Sequence, residues 1–190
     1  MLSEVLETVR TRRKFATNRA MCVEMNGGSK HKQRFDRWVR RQNKSTRFLA
    51  ELVEERLLPP LSQEGFVRVN ADLTDPSWKV DPYQLTMERV RGEEYDFIII
   101  IFLNSGAPRF QVFFGTRGTL PPHNWLKSGY LVSRSKEFIH FWGKPWWRPY
   151  FTWTENSATK TVSKVESMLT QVLDFLRTGE AGMNISKREM

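Results

Sequence analysis

The spacing of apolar residues predicts an amphipathic helix over residues 30–58. At 100° per residue the apolar positions fall on one arc, and a group of basic positions falls on the opposite arc. The apolar arc consists of Phe35, Trp38, Val39, Leu49, Leu52, Val53 and Leu57. Pro59 and Pro60 follow, and because proline does not continue a helix, we expect this helix to end before them.

A run of short apolar segments follows and predicts β-strands. The segments are residues 65–71, 83–91, 95–103, 109–115, 129–133 and 136–142. Segment 95–103 is apolar at nearly every position, which is typical of an interior strand that is covered on both faces. Only the link 104–108 joins it to the next segment, which permits a hairpin but no crossover. We therefore expect these two strands to be antiparallel.

A second amphipathic pattern predicts a helix over residues 158–178. Ser157 or Thr159 is expected to cap its start, and Gly179 is expected to end it. The strands are segregated from the helices along the chain, which favours an α+β fold with an antiparallel sheet of five or six strands. The sheet should be flanked by the N-terminal amphipathic basic helix and by this C-terminal amphipathic helix.

The strength of these patterns also divides the chain into parts. Residues 1–29 carry no sustained pattern and are expected to form a weakly ordered N-terminal arm. Residues 30–179 are expected to form a single α+β domain, and residues 180–190 a polar tail.

The positive charge of the chain is concentrated near its N-terminus. The net charge is +9, yet 13 of the 30 basic residues and only two of the 21 acidic residues lie within residues 10–47. Such an asymmetry favours attachment to nucleic acid, to another anionic surface or to an acidic protein. The plain alternative is a solvated basic face that only keeps the protein in solution.

Two groups of residues are candidates for binding nucleic acid. The first is the basic face of the predicted N-terminal helix, formed by Arg34, Arg37, Arg40, Arg41 and Lys44. The second lies in an aromatic stretch at 137–153, which holds eight of the 24 aromatic residues, and consists of Lys144, Trp146, Trp147 and Arg148. Rings interleaved with cations can stack on unpaired bases, whereas a lid over the core would account for the same composition.

Catalysis has less support in the sequence. Cys22 is the only cysteine and lies in the least patterned region, and the three histidines, His31, His123 and His140, lack the spacing of metal ligands. A metal-dependent nuclease would need clustered carboxylates, for which Asp72, Glu88 and Asp96 are the candidates on or near successive strands. We expect no cofactor.

The sequence therefore favours a cytoplasmic, non-catalytic binding domain. Its expected partner is nucleic acid, and the alternatives are a protein–protein interaction module and, less favoured, a metal-dependent nuclease. A single cysteine excludes an internal disulfide, which suits a reducing compartment. The longest apolar run is too short to span a bilayer, so we expect no membrane partner.

Overall fold

A computed structural model describes residues 28–68, 81–103, 108–118, 125–133, 140–142 and 154–188. The described residues form three helices: α1 (Gly28–Arg40), α2 (Lys44–Gln63) and α3 (Glu155–Thr178). Most of the expected N-terminal arm, residues 1–27, lies outside the described part of the chain.

The prediction of one continuous helix over residues 30–58 is wrong, because α1 ends at Arg40 and α2 starts at Lys44. Asn43 causes the break. Its backbone is extended (φ −64°, ψ 164°), and its side chain accepts a hydrogen bond from the Thr46 amide at 2.9 Å. This is the geometry of a helix N-cap, so a new helix begins at the next residue.

The prediction that Pro59 and Pro60 stop the helix is also wrong, since α2 continues to Gln63. The two prolines remove two helical hydrogen bonds. Leu57 and Leu61 lie four residues apart on the same helix face, and both are buried in the core. The burial of this last apolar turn offsets the lost hydrogen bonds, which the sequence pattern alone did not reveal.

The strands of the described sheet are β1 (Val67–Arg68), β2 (Gln84–Arg91), β3 (Glu94–Phe102), β4 (Arg109–Gly118), β5 (Trp125–Leu131), β6 (Phe141–Trp142) and β7 (Ile185–Lys187). The sheet is antiparallel, and neighbouring strands follow the order β1-β2-β3-β4-β5-β7, with β6 pairing with β4. The α+β class, the antiparallel sheet and the flanking helices predicted from the sequence are confirmed. The residues expected as a polar tail contribute β7, which pairs with β5.

The interior position of the apolar strand is confirmed, because β3 lies between β2 and β4 in antiparallel register with both. Gly92, in the left-handed conformation at φ 65°, turns the chain from β2 into β3. Strand β5 begins four residues before the predicted segment. Of the segment predicted at 136–142, only residues 140–142 are described.

The two faces of the sheet differ in what covers them. The face that we call the helix face carries Ile98, Ile100 and Phe102 of β3, which pack in one core with the buried residues of all three helices. The other face, which we call the second face, carries a separate cluster of Phe97, Ile99 and Phe113. Among the described residues, this second cluster contains only strand residues.

Helix α3 begins three residues earlier than predicted, because Thr154 is its N-cap in place of Ser157 or Thr159. The Thr154 hydroxyl accepts from the Ser157 amide at 3.1 Å, and the Ser157 hydroxyl accepts from the Thr154 amide at 3.4 Å. This reciprocal pair is a capping box. Gly179 ends the helix in the left-handed conformation, as predicted.

Helices α2 and α3 lie side by side and point in the same direction. Near their N-termini, the Lys44 ammonium lies 3.8 Å from the Glu155 carboxylate. Near the middle, the Arg56 guanidinium contacts Ser163 and Glu166. Their C-termini therefore meet at the other end of the helix layer. None of the helices in the described part of the chain has the length and apolarity needed to cross a bilayer.

Candidate nucleic-acid interface

The five predicted basic residues of the N-terminal region are all exposed, although they belong to two helices and the link between them. Arg34, Arg37 and Arg40 lie on α1, Arg41 lies in the connection, and Lys44 is the first residue of α2. Arg47 is exposed as well, and its guanidinium donates to the backbone carbonyl oxygens of Arg40 at 3.2 Å and Gln42 at 3.3 Å. We call these six residues the basic surface.

The apolar side of α1 fixes the basic surface towards solvent. Phe35 is completely buried, and Trp38 is 7% exposed. Both rings lie 5.7 Å, between centroids, from the ring of Phe102 on β3, and Trp38 also contacts Tyr83. Because these contacts hold α1 by its apolar side against the sheet, its arginines cannot turn inward without breaking the core.

Among the described residues, little acidic charge lies beside Arg37, Arg40, Arg41 and Lys44. The ammonium of Lys32 is paired with Asp36 at 3.0 Å, and the only described acid near Lys44 is Glu155, at 3.8 Å. Within the described part of the chain, the side chains of Arg37, Arg40 and Arg41 form no ion pair with an acid. The first turn of α2 carries no acidic residue, so the positive end of its dipole is also unbalanced.

The basic surface carries no large apolar side chain. The exposed large hydrophobic residues in the described ranges are Val67, Val90, Leu126 and Met183, and none of them belongs to α1 or α2. The second predicted group, Lys144, Trp146, Trp147 and Arg148, lies outside the described residues.

Two of the carboxylates considered for a nuclease site, Glu88 and Asp96, do not come together. In the sheet register, Glu88 is opposite Phe97 on the second face, where its carboxylate accepts from Arg117 at 3.0 Å. Asp96 is opposite Arg89 on the helix face. Because the two carboxylates project from opposite faces, they cannot share a metal ion. Asp72 lies outside the described residues. Among the described residues, no three side chains that could bind a metal ion lie together.

A buried polar cluster around Asp96 ties the sheet to the helix ends. Asp96 is fully buried and accepts from Thr116 at 2.8 Å and from Arg89 at 2.8 Å, with Arg91 at 3.4 Å. Arg89 also donates to the Glu64 carbonyl at 3.0 Å, and Arg91 donates to the Leu176 carbonyl at 2.9 Å. These two carbonyls lie at the C-terminal ends of α2 and α3. The cluster is structural, since each of its charges faces an opposite charge or a helix terminus.

Two titratable groups near the sheet have lowered pKa values. Burial lowers the pKa of Lys127, and the positive charge of Arg91 lowers it further. Burial and the neighbouring Arg109 lower the pKa of His140, whose ring nitrogen contacts the amide of Gln111. Neither group belongs to the basic surface.

Sequence reasoning found five residues of the basic surface but gave Arg47 no role in binding. The signal was present, because Arg47 follows Asn43 by four residues, and Asn43 with the run up to Thr46 resembles a helix start. Recognising that start would have placed Arg47 in the first turn of a new helix, beside the connection.

Comparison of the chain with family models, with curated proteins and with solved structures found no match.

Proposed function

We propose that this protein is a non-catalytic nucleic-acid-binding domain that contacts phosphates through the basic surface. The observation that supports the proposal is the exposure of six cations on α1, on α2 and on the link between them. Among the described residues, Arg37, Arg40 and Arg41 form no ion pair with an acid, and the Lys44 ammonium lies 3.8 Å from Glu155. Like charges held close together repel one another, and a polyanion relieves that repulsion. Nucleic-acid backbones offer the required density of negative charge.

Other anionic partners fit this surface less well. A helix that inserts into a lipid surface keeps an exposed apolar face, whereas the apolar face of α1 is buried in the core. Protein interfaces concentrate their binding energy in exposed aromatic and arginine residues packed together, and the basic surface has no exposed large apolar residue. Phosphate binding requires only the cations that are present.

We further propose that the protein acts in the cytoplasm. Its single cysteine permits no internal disulfide, and such chains suit a reducing compartment. Detection of the tagged protein in the soluble cytoplasmic fraction of its native cell tests this point.

Charge reversal tests the proposed function. The variant carrying Arg37→Glu, Arg40→Glu and Arg41→Glu should lose binding to oligonucleotides in a fluorescence polarisation titration at low salt. The change should leave the fold intact, because exposed substitutions move stability by about half a kcal/mol each. The matched control carries Arg177→Glu, Lys187→Glu and Arg188→Glu, which reverse three exposed cations outside α1 and α2. The control should retain most of the binding.

Two outcomes would contradict the proposal. If the unmodified protein binds no oligonucleotide at low salt, an acidic protein becomes the better partner for the basic surface. If the control variant loses as much affinity as the first variant, the net charge of the protein, and no particular surface, is responsible for binding. Circular dichroism of both variants distinguishes these outcomes from unfolding.

A further inference from the structure

We infer that the basic surface recognises the backbone of duplex nucleic acid in preference to single strands, and without reading base sequence. The inference rests on the proposed function and specifies its ligand. It depends on which side chains α1 and α2 expose, and on the spacing at which the two helices hold those side chains.

Single strands are bound mainly by stacking their bases on exposed aromatic rings, together with contacts to the backbone. The basic surface offers no such rings. Phe35 and Trp38 are buried against the sheet, and Phe48 is half-buried and packs on the same core. A single strand lying on this surface would therefore gain phosphate contacts without any stacking energy.

The helices set the spacing of the backbone positions that carry the cations. From Arg34 to Arg40 the surface extends about 9 Å along α1, at 1.5 Å per residue. Arg47 on α2 donates to the carbonyls of Arg40, the last residue of α1, and of Gln42 in the connection, which joins the start of α2 to the end of α1. A duplex presents about one phosphate per 1.7 Å of its axis in a rigid array, so several cations can be matched at once. A flexible single strand has a lower charge density and must lose conformational entropy to do the same.

The amide side chains best placed to read bases are already engaged. The side-chain amide of Gln42 donates to the Trp38 carbonyl at 3.3 Å. The side-chain oxygen of Asn43 accepts from the Thr46 amide and the Ser45 hydroxyl. Base readout by amides requires both of their polar atoms to be available to an adenine edge. Arginines directed at phosphates determine the position of the protein on the duplex but not the sequence that it selects.

The experiment compares a mixed-sequence duplex with each of its separated strands, using the full-length protein and both DNA and RNA oligonucleotides. Affinities are measured by polarisation at about 50 and 200 mM salt. We expect a duplex, of DNA or RNA, to bind on the order of tenfold more tightly than its strands at equal salt. Shuffling the duplex sequence should leave the affinity unchanged. Each phosphate contact adds about −0.9 to the slope of log K against log salt for duplex DNA, so Arg37→Gln should make that slope shallower by about 0.9.

The possible failures are distinguishable. If single strands bind as tightly as the duplex or more tightly, the inference is overturned while the proposed function stands. A strong dependence on duplex sequence would overturn the claim of backbone recognition. If neither form binds, the proposed function fails, and the inference fails with it. An unchanged salt slope for Arg37→Gln, with duplex binding intact, would place the duplex on another surface.

Discussion

Asp96 shows how a single residue connects distant parts of the chain. Its carboxylate is fully buried and receives hydrogen bonds from Thr116 and Arg89, with Arg91 close by. The same arginines donate to the last carbonyls of two helices. Removing the carboxylate charge would leave the largely buried Arg89 and the partly exposed Arg91 without their common partner.

The first prediction concerns Asp96→Asn, which keeps the size of the side chain and removes its charge. We expect a loss of about 3–5 kcal/mol in the free energy of unfolding, the usual cost of breaking a buried ion pair from one side. Thr116→Val is the control, since it removes one hydrogen bond and should cost about 1 kcal/mol. Urea denaturation measures both. Equal losses in the two variants would show that the charge of Asp96 contributes little.

A second prediction concerns the pH dependence of stability through His140. Its pKa in the folded protein lies below the unperturbed value of about 6.5, so between these two values the unfolded chain binds more protons. The free energy of unfolding should therefore fall as the pH decreases from about 7.5 to 5.5. His140→Gln keeps a polar partner for Gln111 and should show a smaller decrease. An identical pH profile for the two proteins would contradict the assignment to His140.

Among the strands, β4 packs closely against both of its neighbours, β3 and β5, at Gly115. A Cβ atom added there would lie 2.5 Å from the Lys127 carbonyl oxygen on β5 and 2.7 Å from the ring of Phe97 on β3. Backbone oxygen cannot move away as a flexible side chain can. Gly118, three residues later on the same strand, has no atom within 4 Å of the corresponding position.

The third prediction follows from this difference. Gly115→Ala should destabilise the protein by about 1–3 kcal/mol, since overpacking forces the sheet to shift. Gly118→Ala should leave the free energy of unfolding within about half a kcal/mol of the original. Denaturant unfolding of both variants provides the comparison. If Gly115→Ala left the free energy of unfolding unchanged, β4 and β5 would be able to move apart at Gly115 at little cost.

The elements were predictable where a local pattern determined them, and not where distant contacts did. The short link at 104–108 predicted the antiparallel pairing of β3 with β4, and the apolar periodicity of α3 identified its buried face. The continuation of α2 through Pro59 depends on the burial of Leu61, which no local pattern reveals. The exposure of the basic residues on α1 was predictable from its amphipathic pattern. The bond from Arg91 to the Leu176 carbonyl joins residues 85 positions apart and had no sequence signal.

For the whole molecule, the described residues already form an extensive core. The core clusters begin at Phe35 and extend to Ile185. The basic surface also begins after this segment, at Arg34. The described core and the surface proposed to bind nucleic acid are therefore both contained in the chain from Gly28 onwards.

The fourth prediction is that a chain beginning at Gly28 folds and still binds nucleic acid. Its thermal unfolding should remain cooperative, because the core described above is retained. Binding should be weaker but present, since the deletion removes Arg10, Arg12, Arg13, Lys14 and Arg19 and leaves the basic surface. Calorimetry and polarisation test the two parts. An insoluble or molten shortened chain would show that residues 1–27 are needed for folding.

The common direction of α2 and α3 has a consequence for how the protein meets a charged partner. The dipoles of two parallel helices add, and their positive ends lie on the side of Lys44 and Arg47. At the opposite ends, Arg89 and Arg91 neutralise the terminal carbonyls. The described part of the chain therefore carries the positive helix ends and the basic surface at the same end of the helix layer. In the field of a polyanion it would experience a torque before contact, so productive encounters would become more frequent and the association rate would decrease steeply with ionic strength.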